Sequence, residues 1–326
     1  MVNRWCFFCT KFITMKRLLW SVGVLSVLSL GCGTNATQDA ENQTEDSTPT
    51  QGNERAIALM NGFTMAFGTA WANGDPAGIA ETFAADGVRI IGGAQEAFNG
   101  RAEIAASFGE VADGGKLQNT HVEIVTTDAR FVSEDLVIGC GNFQIMSEAD
   151  EVLIEGKWGN TYRVEDGELR MLMESAYRSA SVVDEAANAN STQELQEAWD
   201  CGTSEACAQV DANIASFVSS FNANASEDVT LLFREDGIRS VSALPEIAIG
   251  REAILNSLQG DSSGVLSAEM TGFMEVGNNL VIAHGQWNVS GPDGSVAAFG
   301  HWGNLFETSE TGALLVMESA GRYLVD

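Results

Sequence analysis

The chain has 326 residues, 45% of them hydrophobic, which is enough for two globular domains with cores of their own and excludes a disordered protein. Its 17 basic and 45 acidic side chains leave a formal charge of -28 spread along the chain, a surface that repels phosphate backbones and anionic head groups and so excludes nucleic acid as a partner. No Walker loop, GxGxxG before a helix, HExxH or GxSxG occurs, so nucleotide, zinc-protease and serine-hydrolase readings have no footing.

In chain order, the first feature starts at Met15: MKRLLWSVGVLSVLSLGCG carries two cations, an apolar stretch over 18–30, then small residues. The stretch is too short for a spanning helix and has the regions of an export signal, so residues 1–31 are assigned to a cleaved signal with Met15 as its start, and Cys6 and Cys9 carry no site. LSLGC resembles the end of a bacterial lipoprotein signal, which implies that Cys32 becomes a lipid-modified first residue; Ser29 and Leu30 depart from that pattern. The folded part is then expected outside the cytoplasm, touching a membrane only through the lipid. Residues 32–53 form the tether, whose run from Gly33 to Asn53 lacks large apolar side chains and has nothing to offset the entropy of ordering.

Beyond the tether the chain repeats itself. LVIGCGNF (136–143) aligns with LVIAHGQW (280–287), GKWGN (156–160) with GHWGN (300–304), and MESAYR (173–178) with MESAGR (317–322), all 144 residues apart. Upstream, DGVRI (86–90) aligns with DGIRS (236–240) and GRAEI (100–104) with GREAI (250–254), 150 apart. The pattern is that of a duplicated domain, with units at 54–180 and 203–326 and a linker at 181–202.

Within the first unit, apolar residues at three- and four-residue spacing predict a helix that Gly74 and Asp75 end; Pro76 opens a short second helix to Ala84, and a third runs from Arg101 to about Val111. Strands are predicted at 87–92, 118–131, 135–147, 152–164 and 168–179, with turn signals between them, and the second unit repeats the order. Helices followed by an antiparallel meander give an α+β fold. A long helix ending AWANGD, then FAADGV, GRAEI and the strand GKWGNTYRVEDG resemble the NTF2-like superfamily, in its SnoaL-like or DUF4440-type members. The resemblance implies two tandem cones, each a curved sheet wrapped around N-terminal helices with a cavity between, and spans isomerases, cyclases, binding accessories and proteins of no known activity.

Placing the hairpin turns near Pro292-Asp293 and Ser309-Glu310 sets His284, His301 and Glu318 in one cross-strand row, with Cys140, Lys157 and Glu174 as the equivalent row in the first unit. Such a row has two readings. Glu174 or Glu318 acts as general base beside Lys157 or His301, in an isomerase or cyclase; or Glu174 pairs with Lys157 and Glu318 with His301 as satisfied ion pairs. The resemblance also implies an Asp-His pair in the last strand, where this chain has Glu174-Ser175 and Glu318-Ser319. Lys157, His284, Cys140 and Trp71 are the ligand-binding candidates, with Trp71 at the cavity mouth or in the core. Cys201 and Cys207 are expected to form a small disulfide loop. No metal or other cofactor is expected. The aromatic sheet faces call for a cover, which the sibling unit supplies in an intramolecular pseudo-dimer. The leading functional expectation is an exported protein binding a small apolar or amphipathic molecule in one or both cones, with a structural module of filled cavities as the third reading.

Overall fold

The computed structural model describes residues 51–92, 94–113, 117, 119–179, 194–259 and 264–322. The export signal, Cys32, the tether up to residue 50 and residues 180–193, most of them in the linker, lie outside the described residues.

Helix α1 (Gln51–Ala72) buries Ala56, Met60, Phe63, Phe67 and Trp71, the three- and four-residue spacing that lines one helix face. Asp75 caps α2 (Pro76–Glu81): its carboxylate accepts from the Gly78 amide at 2.9 Å, and Pro76 stands in the first turn, where a missing N–H costs nothing. Strands β1 (Phe83–Ile91) and β2 (Phe98–Asn99) and helix α3 (Gly100–Asp113) follow. The meander β3 (Thr120–Phe131), β4 (Leu136–Ser147), β5 (Val152–Glu165) and β6 (Glu168–Arg178) completes the first half.

The second half repeats this order with α4 (Glu205–Asn222), α5 (Ser226–Leu231), β7 (Phe233–Val241), β8 (Ala248–Ile249) and α6 (Arg251–Ser257), then β9 (Val265–Gly277), β10 (Leu280–Ser290), β11 (Val296–Ser309) and β12 (Gly312–Arg322). A disulfide joins Cys201 to Cys207, and the Ser204 hydroxyl between them accepts from the Cys207 amide to cap α4.

Each half forms one six-stranded sheet, in the orders β2-β1-β6-β5-β4-β3 and β8-β7-β12-β11-β10-β9. β1 runs parallel to β6 and β7 to β12, while the other neighbours are antiparallel. A parallel pair needs a long crossover, which α3 and three strands of the meander provide. The halves are two tandem α+β cones. The sheets bend where bulges meet glycine: beside the shifts at Thr126/Asp128 and His284/Gly285, a Cβ on Gly141 or Gly285 would collide with the carbonyl oxygen of Val125 or Glu269.

The convex faces of the two sheets share one apolar core, which includes Ile90, Ile138, Cys140, Met173 and Tyr177 of the first half and Ile282, Leu305 and Met317 of the second. Across it the Ser175 hydroxyl donates to the Ser319 carbonyl at 3.3 Å, and the Ser319 hydroxyl donates back to the Ser175 carbonyl at 3.1 Å. The partners are 144 residues apart, so the repeat offset is written into the interface as a local two-fold. Gly159 and Gly303 let the sheets approach: a Cβ on the first would stand 2.9 Å from the Ser319 Cβ, and on the second 3.0 Å from the Ser175 Oγ.

Gly285→Ala is expected to destabilise the chain by about 2–3 kcal/mol, because the clash is with backbone. Gly62→Ala, on an open face of α1, is expected to stabilise by about 0.5–1 kcal/mol. Urea unfolding midpoints of the two variants measure the contrast; equal shifts would contradict the reading of Gly285 as the bend.

Candidate functional site

The registers break the expected row. Bulges and turns displaced from their expected positions shift the β10/β11 register by two residues and the β11/β12 register by three. His284 therefore faces Gly303, His301 faces Gln286 on one side and Gly321 on the other, and Glu318 falls beside Asn304. The first half repeats the displacement: Cys140 faces Gly159, and Lys157 faces Asn142 and Tyr177. An even shift keeps a residue on its face and an odd one sends it to the other. His284, His301, Cys140 and Lys157 thus lie on the convex side, while Glu174 and Glu318 look into the cones.

Inside each cone the glutamate meets an arginine to which no hairpin turn points. Arg89 and Glu174 are direct partners on parallel β1 and β6, as are Arg239 and Glu318 on β7 and β12. The Arg89 Nε donates to Glu174 Oε2 at 2.7 Å and the Arg239 Nε to Glu318 Oε2 at 2.8 Å, and all four residues are under 9% exposed. The helix that precedes the meander holds each guanidinium from behind: Arg89 Nη1 donates to the Ser107 hydroxyl at 2.9 Å, and Arg239 Nη1 to the Ser257 hydroxyl at 3.1 Å. These ion pairs replace the expected pairs of Glu174 with Lys157 and Glu318 with His301. A sequence signal for them exists, since DGVRI and DGIRS both carry the arginine at the repeat offset.

The two cones differ in what surrounds this pair. In the first, the Arg89 guanidinium stacks over the Phe108 ring at 3.8 Å, and Phe63 packs edge-on to Tyr162 at 4.8 Å. Phe67 and Trp71 complete the aromatic filling; Trp71 is 6% exposed, and its indole N–H donates to the Thr120 hydroxyl at 3.1 Å. Trp71 is a core residue and lines no mouth. At the equivalent positions of the second half stand Asn213 for Phe63, Phe221 for Trp71, Leu258 for Phe108, Ala298 for Ile154 and Ala313 for Leu169. Each exchange removes bulk, and a cavity of about 520 Å³ is open there, with Phe217, Phe221, Trp287 and Trp302 in its walls and Arg239, Glu318 and Arg322 as its charged lining.

On the convex side, Cys140 lies in the shared core with its thiol pushed up to about 12, chiefly by burial. Burial also lowers the pKa of Lys157, against a smaller opposing effect of Glu155. His284 covers Gly272, and His301 packs edge-on to Phe299 at 5.5 Å. Burial holds both imidazoles down at about 4, and His284 adds to the lowering at His301. Among the described residues no group of three or more His, Cys, Asp or Glu side chains is arranged to hold a metal.

No protein-family model matches the chain, and no curated protein sequence matches it. Among solved structures it is similar to a cystatin-like-fold domain of unknown function from Nostoc punctiforme, at 18% identity and TM-score 0.35 over 39% of this chain and 79% of that one. An NTF2-like protein with a cystatin-like fold from Novosphingobium aromaticivorans is similar at 15% identity and TM-score 0.34, over 39% of this chain and 86% of its own. A ketosteroid isomerase-like protein from Erwinia carotovora atroseptica is similar at 17% identity and TM-score 0.31, over 39% and 97%. The likeness is one of fold alone.

Two outcomes follow from this geometry. Glu318→Gln leaves the Arg239 charge buried without its carboxylate and should cost about 3–5 kcal/mol, whereas the double variant Arg239→Met/Glu318→Leu should recover most of that loss. Urea unfolding of the three proteins checks it; a double variant as unstable as the single one would contradict it. The second concerns pH. His284 and His301 are neutral when folded, with pKa values depressed from 6.5 to about 4, so their contribution to stability is fully present above about pH 6.5 and is lost as pH falls toward 4. Unfolding free energy should therefore drop over that range by roughly a few kcal/mol, since each tenfold weakening of a group's proton affinity corresponds to about 1.4 kcal/mol. Urea titrations at a series of pH values measure the drop, which His284→Gln/His301→Gln should flatten.

Proposed function

We propose that the protein is an exported binding protein whose second cone holds one small apolar or amphipathic molecule, while the first cone is a filled structural partner. The observation that carries this is the asymmetry between two copies of one fold: the same ion pair sits among packed aromatics in the first and against an open cavity of about 520 Å³ in the second. That volume and its aromatic walls suit a molecule of one to three rings, and the Arg239–Glu318 pair with the Asn304 amide offers hydrogen bonds to a single polar group. Binding is favoured over proton transfer because Glu318 is already engaged by a guanidinium, which cannot give up its proton. The Cys201–Cys207 disulfide suits an oxidising compartment, in keeping with export and a lipid anchor at Cys32.

Native mass spectrometry of the full chain, with organic extraction of what co-purifies, tests the proposal. One molecule per chain is expected in the wild type, and none in Ala298→Phe, which narrows the cavity while the ion pair stays in place. Equal occupancy in both proteins, or an empty wild type that takes up no aromatic alcohol on titration, would overturn it.

A further inference from the structure

A second concave surface lies outside both cones. A groove of about 570 Å³ runs between β4 and β5 of the first half and the 242–245 segment of the second. Lys157 lines it and is 5% exposed, and among the described residues its ammonium makes no ion pair or hydrogen bond. Among the described residues it is the one basic side chain in the lining, which otherwise carries Glu123, Glu155, polar groups such as Asn142, and the apolar Val125 and Leu244. Glu155 acts on this ammonium as a counter-charge but offsets its burial only in part, and the groove leaves room for a ligand to supply a second.

The local two-fold shows that the opening is not a general feature of this interface. At the equivalent place in the second half, His301 stands for Lys157 and Gln286 for Asn142. There the Gln286 amide donates to the Gln95 carbonyl at 3.1 Å and its oxygen accepts from the Gln196 amide at 2.9 Å. A first-half loop and the end of the linker thus cover one copy, whereas among the described residues the copy with the lysine keeps an open groove. Occupancy by a plain anion is opposed by the formal charge of -28 and by the two glutamates in the lining. A molecule that carries its own positive charge avoids both objections.

We propose that this groove binds a small zwitterion of the α-amino acid class, with its carboxylate on the Lys157 ammonium, its ammonium toward Glu123, and its side chain against Val125 and Leu244. Burial lowers the lysine's pKa more than Glu155 raises it, and a ligand carboxylate beside the ammonium would act in the same direction as Glu155. The groove shares Ser242 and Ala243 with the lining of the second-cone cavity but none of its charged groups.

The test is isothermal titration of L-leucine into the full chain, with 4-methylpentanoate, which lacks the ammonium, and isopentylamine, which lacks the carboxylate, as comparison ligands. One saturable site for L-leucine is expected, with both truncated ligands weaker. Lys157→Met should weaken L-leucine about tenfold or more, the loss of one charge-assisted hydrogen bond. Glu123→Gln, on an exposed position that leaves folding alone, should weaken it several-fold and narrow the gap to 4-methylpentanoate. Ala298→Phe should leave the titration unchanged, which separates this site from the cone. Unaltered binding in Lys157→Met, 4-methylpentanoate equal to L-leucine, or no saturable heat with L-leucine would overturn the proposal. Should Lys157→Met not fold, Glu123→Gln and the ligand series decide it alone.

Discussion

A guanidinium and a carboxylate, buried side by side on parallel neighbouring strands, recur in both halves of the chain, and much of the structure follows from keeping them satisfied. Arg89 reaches Glu174, and Arg239 reaches Glu318, only because the first long strand of each half lies directly against the last. That adjacency joins elements about 80 residues apart in sequence and closes the sheet's order around its helices. Taking two charges out of water is costly, and losing one partner costs more than losing both. A serine on the helix behind each guanidinium completes its hydrogen bonding, so the pair also fixes where that helix sits. Whether such a pair adds net stability over an apolar replacement is secondary to its geometric role, which is to specify one pairing of distant strands.

Duplication turned this device into two environments. In the first half Phe108 covers Arg89, and Phe63, Phe67 and Trp71 fill the space above the sheet. In the second, smaller side chains at the matching positions leave the pair lining a cavity. The halves meet on their convex faces, where reciprocal Ser175 and Ser319 bonds and the glycines at 159 and 303 bring the sheets close. The glycines are kept in both copies, as GKWGN and GHWGN, because both sheets need the same close approach. The letter that differs between those phrases, Lys157 against His301, falls on the convex side, where the two copies face different neighbours.

Element order, the duplication and its offsets are legible in the sequence because they rest on local periodicity and literal repetition. Glu174 and Glu318 are legible as interior groups through the shared MESA phrase. Their partners are not, for a specific reason. Cross-strand pairing inferred from turn positions is fragile, since each displaced turn or bulge moves the register by a residue; an odd total on the last hairpin puts the histidine and the glutamate on opposite faces. The arginines stand in the repeated DGVRI and DGIRS phrases, but nothing local places β1 beside β6. That neighbour relation is parallel and long-range, and parallel pairs leave no turn signal to read. The open second cone is legible only in retrospect, from the loss of bulk at the positions of Phe63, Trp71 and Phe108.

One buried ion pair thus exists in two copies, and among the described residues it is the second that lines a cavity of about 520 Å³, which we propose to be the ligand site. Nuclear magnetic resonance of the arginine Nε–H groups, with and without 2-naphthol as an aromatic alcohol small enough for the cavity, reads both halves of that statement at once. Slowly exchanging Nε–H signals are expected from Arg89 and Arg239 alike, of which only that of Arg239 moves on titration. Rapid exchange of either signal, or a response at Arg89 equal to that at Arg239, would contradict it.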